Sequence, residues 1–277
     1  MKINKTKILA ILFLVILISC NEDESAKPQK LTKETLSGFV QKGPFINGTS
    51  ITVSELDLSL VQTGSTFNTQ IVDNSGTFEL KDLTLSSPFV QLQADGFYFD
   101  EVIGEKSGAQ LTLFALSDIS SKDQINVNIL THLEKGRVEF LIDQGVEFSQ
   151  AKDSAQHELL SAFGIDNPNI EDSEELDISI NNSGNGTLIA ISSILQANNS
   201  VADLTELLAD INTDFRQDGI LNSETIKSEL FNAAQNLNLE EVRTNLENRY
   251  SELGLSADIA DFESVIEQYL ASQKPFD

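Results

Sequence analysis

The spacing of apolar residues along the chain changes once, from every second position to every third or fourth position. Short runs between residues 37 and 127, such as Ile51-Thr52-Val53, alternate apolar and polar side chains as half-buried strands do. From residue 128 onward the period is that of amphipathic helices, and residues 204–215 carry one continuous apolar stripe. The pattern predicts an all-β sandwich domain, residues 37–127, followed by an all-α helical domain, residues 128–277.

The β region contains about seven short candidate strands separated by turns, which is typical of an antiparallel sandwich. Two of these candidates, residues 67–72 and 77–80, flank Asp73-Asn74-Ser75-Gly76, a sequence with a strong preference for turns. We therefore expect these two strands to pair with each other as a β-hairpin.

Four segments of the β region resemble the carboxypeptidase regulatory-like domain: Gly38-Phe39-Val40, Asn47 to Val53, Asp73 to Phe78, and Leu92 to Phe97. That family has a transthyretin-like β-sandwich fold, so the resemblance implies the same fold here. Such domains serve as spacers and stabilisers on many exported proteins, so the resemblance implies no particular activity. The chain departs from the family pattern in an extension after Phe99, which precedes the last strands.

Four glycines in the second half each precede an apolar residue at the end of a helical stripe: Gly145, Gly164, Gly219 and Gly254. Glycine favours the left-handed conformation that often ends a helix, and the next apolar residue packs back on the last turn. With N-cap signals at Ser149, Ser200 and Asn238, these glycines predict about six or seven helices. The segment from Thr187 to Ala197 is apolar almost all round, so we expect it to be a buried central helix.

The N-terminal residues carry a targeting signal. Lysines precede Ile8 to Ile18, an apolar run that is too short to span a bilayer, where about 20 residues are needed. The run leads into Leu17-Ile18-Ser19-Cys20, which resembles the lipobox of bacterial lipoproteins. The resemblance implies that residues 1–19 are a signal peptide and that Cys20 becomes the first residue and carries lipid such as palmitate. The alternative is an ordinary secretory peptide with a chance cysteine.

Residues 20–36 are polar and predict a disordered tether between this anchor and the β region. Glu22-Asp23-Glu24 follows Cys20 almost directly, and this acidic cluster resembles the surface-export signal of lipoproteins in some Gram-negative bacteria. The resemblance implies an outer-membrane lipoprotein exposed on the cell surface. The alternative is that the tether only shares the acidity of the whole chain.

Charge and cysteine content exclude several classes of protein. The net charge of −25 repels nucleic acid and anionic lipid head groups, so we expect no nucleic-acid partner. Cys20 is the single cysteine, so the chain can form no internal disulfide and no thiolate metal site. The expected partners are the membrane, through lipidated Cys20, and an envelope protein or an extracellular ligand.

Three groups of residues could bind a metal, and each has a plainer explanation. His132 and His157 could form a pair, but without His-Glu-x-x-His spacing they are expected in helix packing or at the surface. Asp214 and Asp218-Gly219 suggest a calcium loop, but Arg216 would then occupy a ligand position, which favours a helix end.

Residues 171–177 contain five carboxylates and could bind a divalent cation, although acidic runs are more often solvated. The sequence indicates no catalytic residue, no metal ligand and no cofactor, and contains no nucleophile motif such as G-x-S-x-G. It predicts a non-enzymatic binding or structural accessory protein of the cell envelope. Two alternatives stay open: a ligand- or glycan-binding component of a nutrient-capture system, and a hydrolase that uses paired carboxylates.

Overall fold

The computed structural model describes residues 30–197 and 199–273 of the chain. Within these residues a β-rich region is followed by seven α-helices, so the predicted order of β and then α is confirmed. The strands are β1 Leu31–Gln41, β2 Ser50–Leu56, β3 Gln62–Gln70, β4 Thr77–Leu85, β5 Phe89–Gly96, β6 Phe99–Asp100, β7 Glu105–Lys106, β8 Leu111–Asp118 and β9 Val127–Asn128. The helices are α1 Ile129–Asp143, α2 Phe148–Ala162, α3 Ser183–Gln196, α4 Val201–Phe215, α5 Glu224–Asn236, α6 Leu239–Glu252 and α7 Glu263–Ser272, with a 3₁₀ turn at Ser173–Glu175.

The long strands form two sheets. In the first, β1 lies in the middle, with β4 antiparallel on one side and the short β9 parallel on the other. The second sheet has the order β3-β2-β5-β8 and is antiparallel throughout. β6 and β7 pair as a separate small ribbon. The first strand of the described residues, β1, is therefore the central strand of its sheet.

The predicted hairpin between residues 67–72 and 77–80 is wrong, because these segments belong to different sheets. β3 pairs with β2, whereas β4 pairs with β1. The turn between them has the expected chemistry: Asp73 accepts a hydrogen bond of 2.7 Å from the Thr77 hydroxyl, and Gly76 has a φ of +85°. This turn carries the chain from one sheet to the other, which the local sequence does not distinguish from a hairpin.

The predicted C-terminal boundary of the tether, residues 20–36, is wrong, because residues 31–36 belong to strand β1. β1 begins at Leu31, which pairs with Leu85 of β4. Lys33 is largely buried in this strand, and its ammonium group lies 2.8 Å from Asp123. The sequence did not indicate this part of the strand, because a lysine occupies one of its buried positions and the alternation of apolar and polar residues is lost there.

The four glycines predicted to end helices all have positive φ, between +66° and +85°, so those ends are confirmed. The caps at Ser200 and Asn238 are also confirmed, because each side chain accepts a hydrogen bond from a backbone N–H in the first turn. The predicted cap at Ser149 is wrong. Helix α2 begins two residues earlier than that cap implies, at Phe148, and its N-cap residue is Glu147, whose side chain makes no capping bond.

One apolar core runs through the strands and the helices, and α3 lies within it. Every residue of α3 from Gly184 to Gln196 is buried, which confirms the expected central helix. The helix begins at Ser183, one turn before the predicted Thr187, because the Asn182 side chain caps its N-terminus. In the described parts of the chain, no helix combines the length and the apolarity needed to cross a membrane.

Candidate functional site

Cys20, the residue with the most specific predicted chemistry, lies outside the described residues. The acidic cluster Glu22-Asp23-Glu24 lies outside them as well. Within the described residues, unusual chemistry is concentrated where the strands meet the helices. Two clusters of buried charged side chains lie there. We call them the Lys42 cluster and the Lys152 cluster.

The Lys42 cluster joins the end of β1, the segment after β6 and the middle of α3. The ammonium group of Lys42 lies 2.9 Å and 3.0 Å from the two carboxylate oxygens of Glu101, and both side chains are almost fully buried. Ser192 donates a hydrogen bond of 2.8 Å to the same carboxylate. The Lys42 ammonium also lies 5.0 Å from the ring centre of Tyr98, whose hydroxyl donates to Gln196 of α3.

Burial raises the pKa of Glu101 above its ordinary value, and the nearby Lys42 charge offsets this effect only in part. Burial likewise raises the pKa of Tyr98, with a smaller contribution from Glu101. The cluster therefore contains one ion pair whose desolvation is costly. Its contacts connect the end of β1, the segment after β6 and α3.

The Lys152 cluster joins α1, α2 and the 3₁₀ turn. The Lys152 ammonium lies 3.0 Å from Glu134 and 2.8 Å from Glu174. Ser173 donates a short hydrogen bond to Glu134, and Ser117 of β8 donates one of 3.1 Å to Glu174. One buried lysine is thus shared by two buried carboxylates, and serine hydroxyls bind their remaining oxygens.

The two carboxylates of this cluster respond to their surroundings in opposite ways. Burial raises the pKa of Glu134, and Lys152 offsets only part of the rise. Burial also acts to raise the pKa of Glu174, but the charges of Lys152 and Lys122 outweigh it and lower this pKa to about 2. Glu174 is therefore the ionised member that the two lysines stabilise most.

The acidic segment 171–177, considered for cation binding, is occupied by lysines. Lys122 lies within 3.3 Å of carboxylate oxygens of Asp172, Glu174 and Glu175. Among the described residues, no group of three or more His, Cys, Asp or Glu has an arrangement that could hold a metal ion. The segment forms ion pairs between the strands and the helices, and Lys122 and Lys152 offset part of its negative charge.

The two histidines have different surroundings. His132 on α1 is half-buried and stacks on Phe114 of β8, with ring centres 5.7 Å apart. Its shielding from water, with a smaller effect of Lys135, lowers its pKa to about 4. His157 is exposed on α2. These positions agree with the expected packing and surface roles.

The aspartates that suggested a calcium loop stabilise a turn. Asp214 accepts a hydrogen bond of 3.1 Å from the Ser223 N–H, at the start of α5. Asp218 accepts hydrogen bonds from Ile220 and Asn222. The helix-end explanation is therefore the one that these contacts support.

Two grooves of similar size lie beside α4. The groove between α4 and α5, of about 600 Å³, is lined by several carboxylates, including those of Asp203, Asp210 and Glu229. The other, of about 640 Å³, lies between the start of α4 and the β6–β7 segment and is lined by apolar side chains such as Val102 and Val201. The negative charge of the α4–α5 groove favours cations. The apolar lining of the other groove favours apolar groups.

Comparison of the chain with protein-family models, with curated proteins and with solved structures finds no match.

Sequence reasoning did not single out the two buried clusters. A signal was present in α2, where Lys152 stands beside the apolar positions Ala151 and Ala155 and therefore on the buried face of the helix. Lys42 had no such signal, because it follows the last residue of β1, where the alternating pattern ends.

Proposed function

We propose that this chain is a lipid-anchored lipoprotein of a Gram-negative cell envelope, held in the outer membrane by Cys20 and displayed on the cell surface. The observation that carries the proposal is Leu17-Ile18-Ser19-Cys20 at the end of a short apolar run, with Glu22-Asp23-Glu24 close behind it. Several acyl chains on one cysteine anchor a protein firmly, since each buried methylene contributes about 0.8 kcal/mol.

The start of the folded body is compatible with this anchor. Because β1 begins at Leu31, only a short segment separates it from Cys20. Even fully extended, a segment of this length reaches at most roughly 40 Å, so the proposed anchor would hold the body near the membrane surface.

The role that we propose in the envelope is that of a non-enzymatic binding or structural accessory protein, with a transthyretin-like sandwich of the carboxypeptidase regulatory-like kind as its β region. Two glycines of the family pattern support this fold. A Cβ atom on Gly38 would lie 1.8 Å from the carbonyl oxygen of Ile125, and one on Gly96 would lie 2.0 Å from the Thr49 hydroxyl. Both positions therefore require glycine for close packing.

The buried carboxylates support a structural role more than a catalytic one. Glu101, Glu134 and Glu174 each contact a lysine and accept a hydrogen bond from a serine hydroxyl. A general acid or base must be able to reach a substrate, whereas these groups are enclosed by partners from several segments.

The anchor is tested with Cys20→Ala in cells fed labelled palmitate. We expect the native chain to incorporate label and to sediment with outer membranes, and the variant to do neither. Ser19→Ala is the matched control, because it keeps a small residue before the cysteine and should remain lipidated. Label or membrane attachment in Cys20→Ala would contradict the anchor.

Surface display is tested separately by replacing Glu22, Asp23 and Glu24 with their amides. The variant should still incorporate palmitate, since Cys20 is intact, but should become resistant to protease added to whole cells. If the variant remains as accessible to protease as the native chain, the acidic cluster does not direct display.

A further inference from the structure

The turn between β2 and β3, residues 57–61, exposes two apolar side chains. Leu58 is 80% exposed and Val61 is 60% exposed. Among the seven large hydrophobic side chains that are exposed in the described residues, these two are the closest together in the chain. Residues 58–72 contain no charged side chain, although the chain carries a net charge of −25. Exposed apolar groups that lie together on an uncharged segment form a candidate contact surface.

The turn has a fixed conformation. The N–H of Asp57 donates a hydrogen bond of 2.9 Å to the carbonyl of Val61, and the carbonyl of Asp57 accepts one of 3.0 Å from Leu60. The Asp57 carboxylate also accepts a hydrogen bond of 3.0 Å from the Val61 N–H. Leu60 packs against the small core cluster that contains Leu56. An ordered turn therefore buries one of its leucines and presents Leu58 to the solvent.

This turn lies at the end of the β region where β1 begins. Leu31, the first residue of β1, pairs with Leu85 of β4. The backbone N–H of the next residue, Ser86, donates a hydrogen bond of 2.8 Å to the side chain of Glu55, which stands two residues before the turn. The start of β1 and the apolar turn are therefore neighbours.

We propose that the 57–61 turn inserts Leu58 and Val61 into the interfacial region of a zwitterionic lipid bilayer, as a second membrane contact beside the anchor. The inference rests on the proposed anchor at Cys20. Leu31 follows Cys20 by eleven residues, so the chain between them reaches at most roughly 40 Å. Because the turn lies beside Leu31, the anchor keeps it within reach of the bilayer, and its contact with lipid is favoured by a high effective concentration.

Charge favours a neutral lipid surface over other partners. A second copy would bring a net charge of −25 against the same charge, and a cationic protein would be drawn to the acidic α4–α5 groove. Leu60 of the turn and Val146 pack on the same core cluster, and the exposed Asp143 and Glu147 beside Val146 repel anionic head groups. A zwitterionic surface carries no net charge, and apolar side chains gain from burial in it.

The first test uses residues 20–277, the chain that the proposed cleavage leaves, coupled through the Cys20 thiol to a maleimide lipid in phosphatidylcholine vesicles. The chain contains no tryptophan, so Leu58→Trp provides a single reporter. We expect its emission to shift to shorter wavelength on coupling and to be quenched by brominated acyl chains. Val72→Trp is the matched control, because Val72 is 70% exposed at the other end of β3, and it should show neither change.

The second test measures what the native side chains contribute, because tryptophan itself favours membrane interfaces. A single acyl chain holds a protein on a bilayer only marginally and reversibly. When Cys20 carries one such chain, Leu58→Ser/Val61→Ser should raise the dissociation constant for phosphatidylcholine vesicles roughly tenfold or more. Val72→Ser should leave this constant unchanged.

Either test can overturn the proposal. Quenching of Val72→Trp in place of Leu58→Trp, or equal dissociation constants for the double serine variant and the native chain, would contradict it. An unquenched Leu58→Trp would also contradict it and would leave the turn as a surface for a partner protein. Chemical coupling supplies the anchor in both tests, so these outcomes do not depend on lipidation in cells, which the palmitate experiment on Cys20 tests separately.

Discussion

The two buried clusters differ in how they balance charge. The Lys42 cluster has one lysine and one carboxylate, and burial dominates, so the pKa of Glu101 is raised. In the Lys152 cluster, Glu174 is approached by two lysines, and its pKa is lowered despite similar burial. The number of nearby lysines therefore determines whether the surroundings of a buried carboxylate favour its ionised or its neutral form.

The clusters also join different parts of the fold. The Lys42 cluster connects α3 to the residues that follow β1 and β6, through the hydrogen bond from Ser192 to Glu101. The Lys152 cluster ties α1 and α2 to β8 through Glu174 and Ser117. Removing a lysine from either cluster should therefore loosen the contact between strands and helices, by an amount that depends on what remains to neutralise the carboxylates.

Lys152→Met should have the largest effect, because it leaves both Glu134 and Glu174 buried without their shared cation. We expect a loss of about 3–5 kcal/mol in the free energy of unfolding, measured by urea denaturation. Lys81→Met, at an exposed pair with Glu79, is the control and should leave the unfolding midpoint unchanged. Equal midpoints for the two variants would show that the Lys152 cluster contributes no stability.

The pH dependence of stability should distinguish Glu174 from Glu101 by its sign. The pKa of Glu174 falls from its ordinary value of 4.5 to about 2 on folding, so its stabilisation is present above pH 4.5 and is lost as the pH falls toward 2. Glu174→Gln should remove this loss, on the order of 2–3 kcal/mol, from the acid limb of a pH–stability curve.

Glu101 should act in the opposite direction, because its folded pKa is raised above 4.5. Its contribution is fully present below pH 4.5 and is lost as the pH rises through the folded pKa. Glu101→Gln should therefore gain stability relative to the native chain as the pH increases above 4.5. An unchanged difference across this window would show that Glu101 titrates normally.

Lys42→Met should cost less than Lys152→Met, because only one carboxylate loses its cation. Glu101 can take up a proton and keep its hydrogen bond from Ser192, so we expect a loss of about 2 kcal/mol. The double variant Lys42→Met/Glu101→Gln should recover part of this loss, and a larger loss in the double variant would contradict the argument.

Lys122→Met should have the smallest effect of the three. Its side chain is 22% exposed, and Lys152 still neutralises Glu174 after the change. We expect a loss of about 1 kcal/mol, measured in the same denaturation series. A loss as large as that of Lys152→Met would show that the two lysines act as one unit.

Local features were predictable from the sequence, and long-range pairings were not. The four helix-ending glycines and the caps at Ser200 and Asn238 depend on residues within a few positions, so their signals survive in the sequence. The partner of β4 and the pairing of Lys42 with Glu101 depend on residues far apart in the chain. The spacing of apolar residues carries no information about such distant partners. The predicted hairpin is therefore wrong, and the two buried clusters are not apparent from the sequence.

The central position of β1 has a mechanical consequence. Any pull applied through the residues before Leu31 enters the fold at one end of β1, which is bonded on one side to β4 and, at its far end, to β9. The load is then shared by the β1–β4 ladder and by the Lys33–Asp123 ion pair near the point of entry. Detaching β1, the first strand of the described residues, would separate β4 from β9 and divide this sheet.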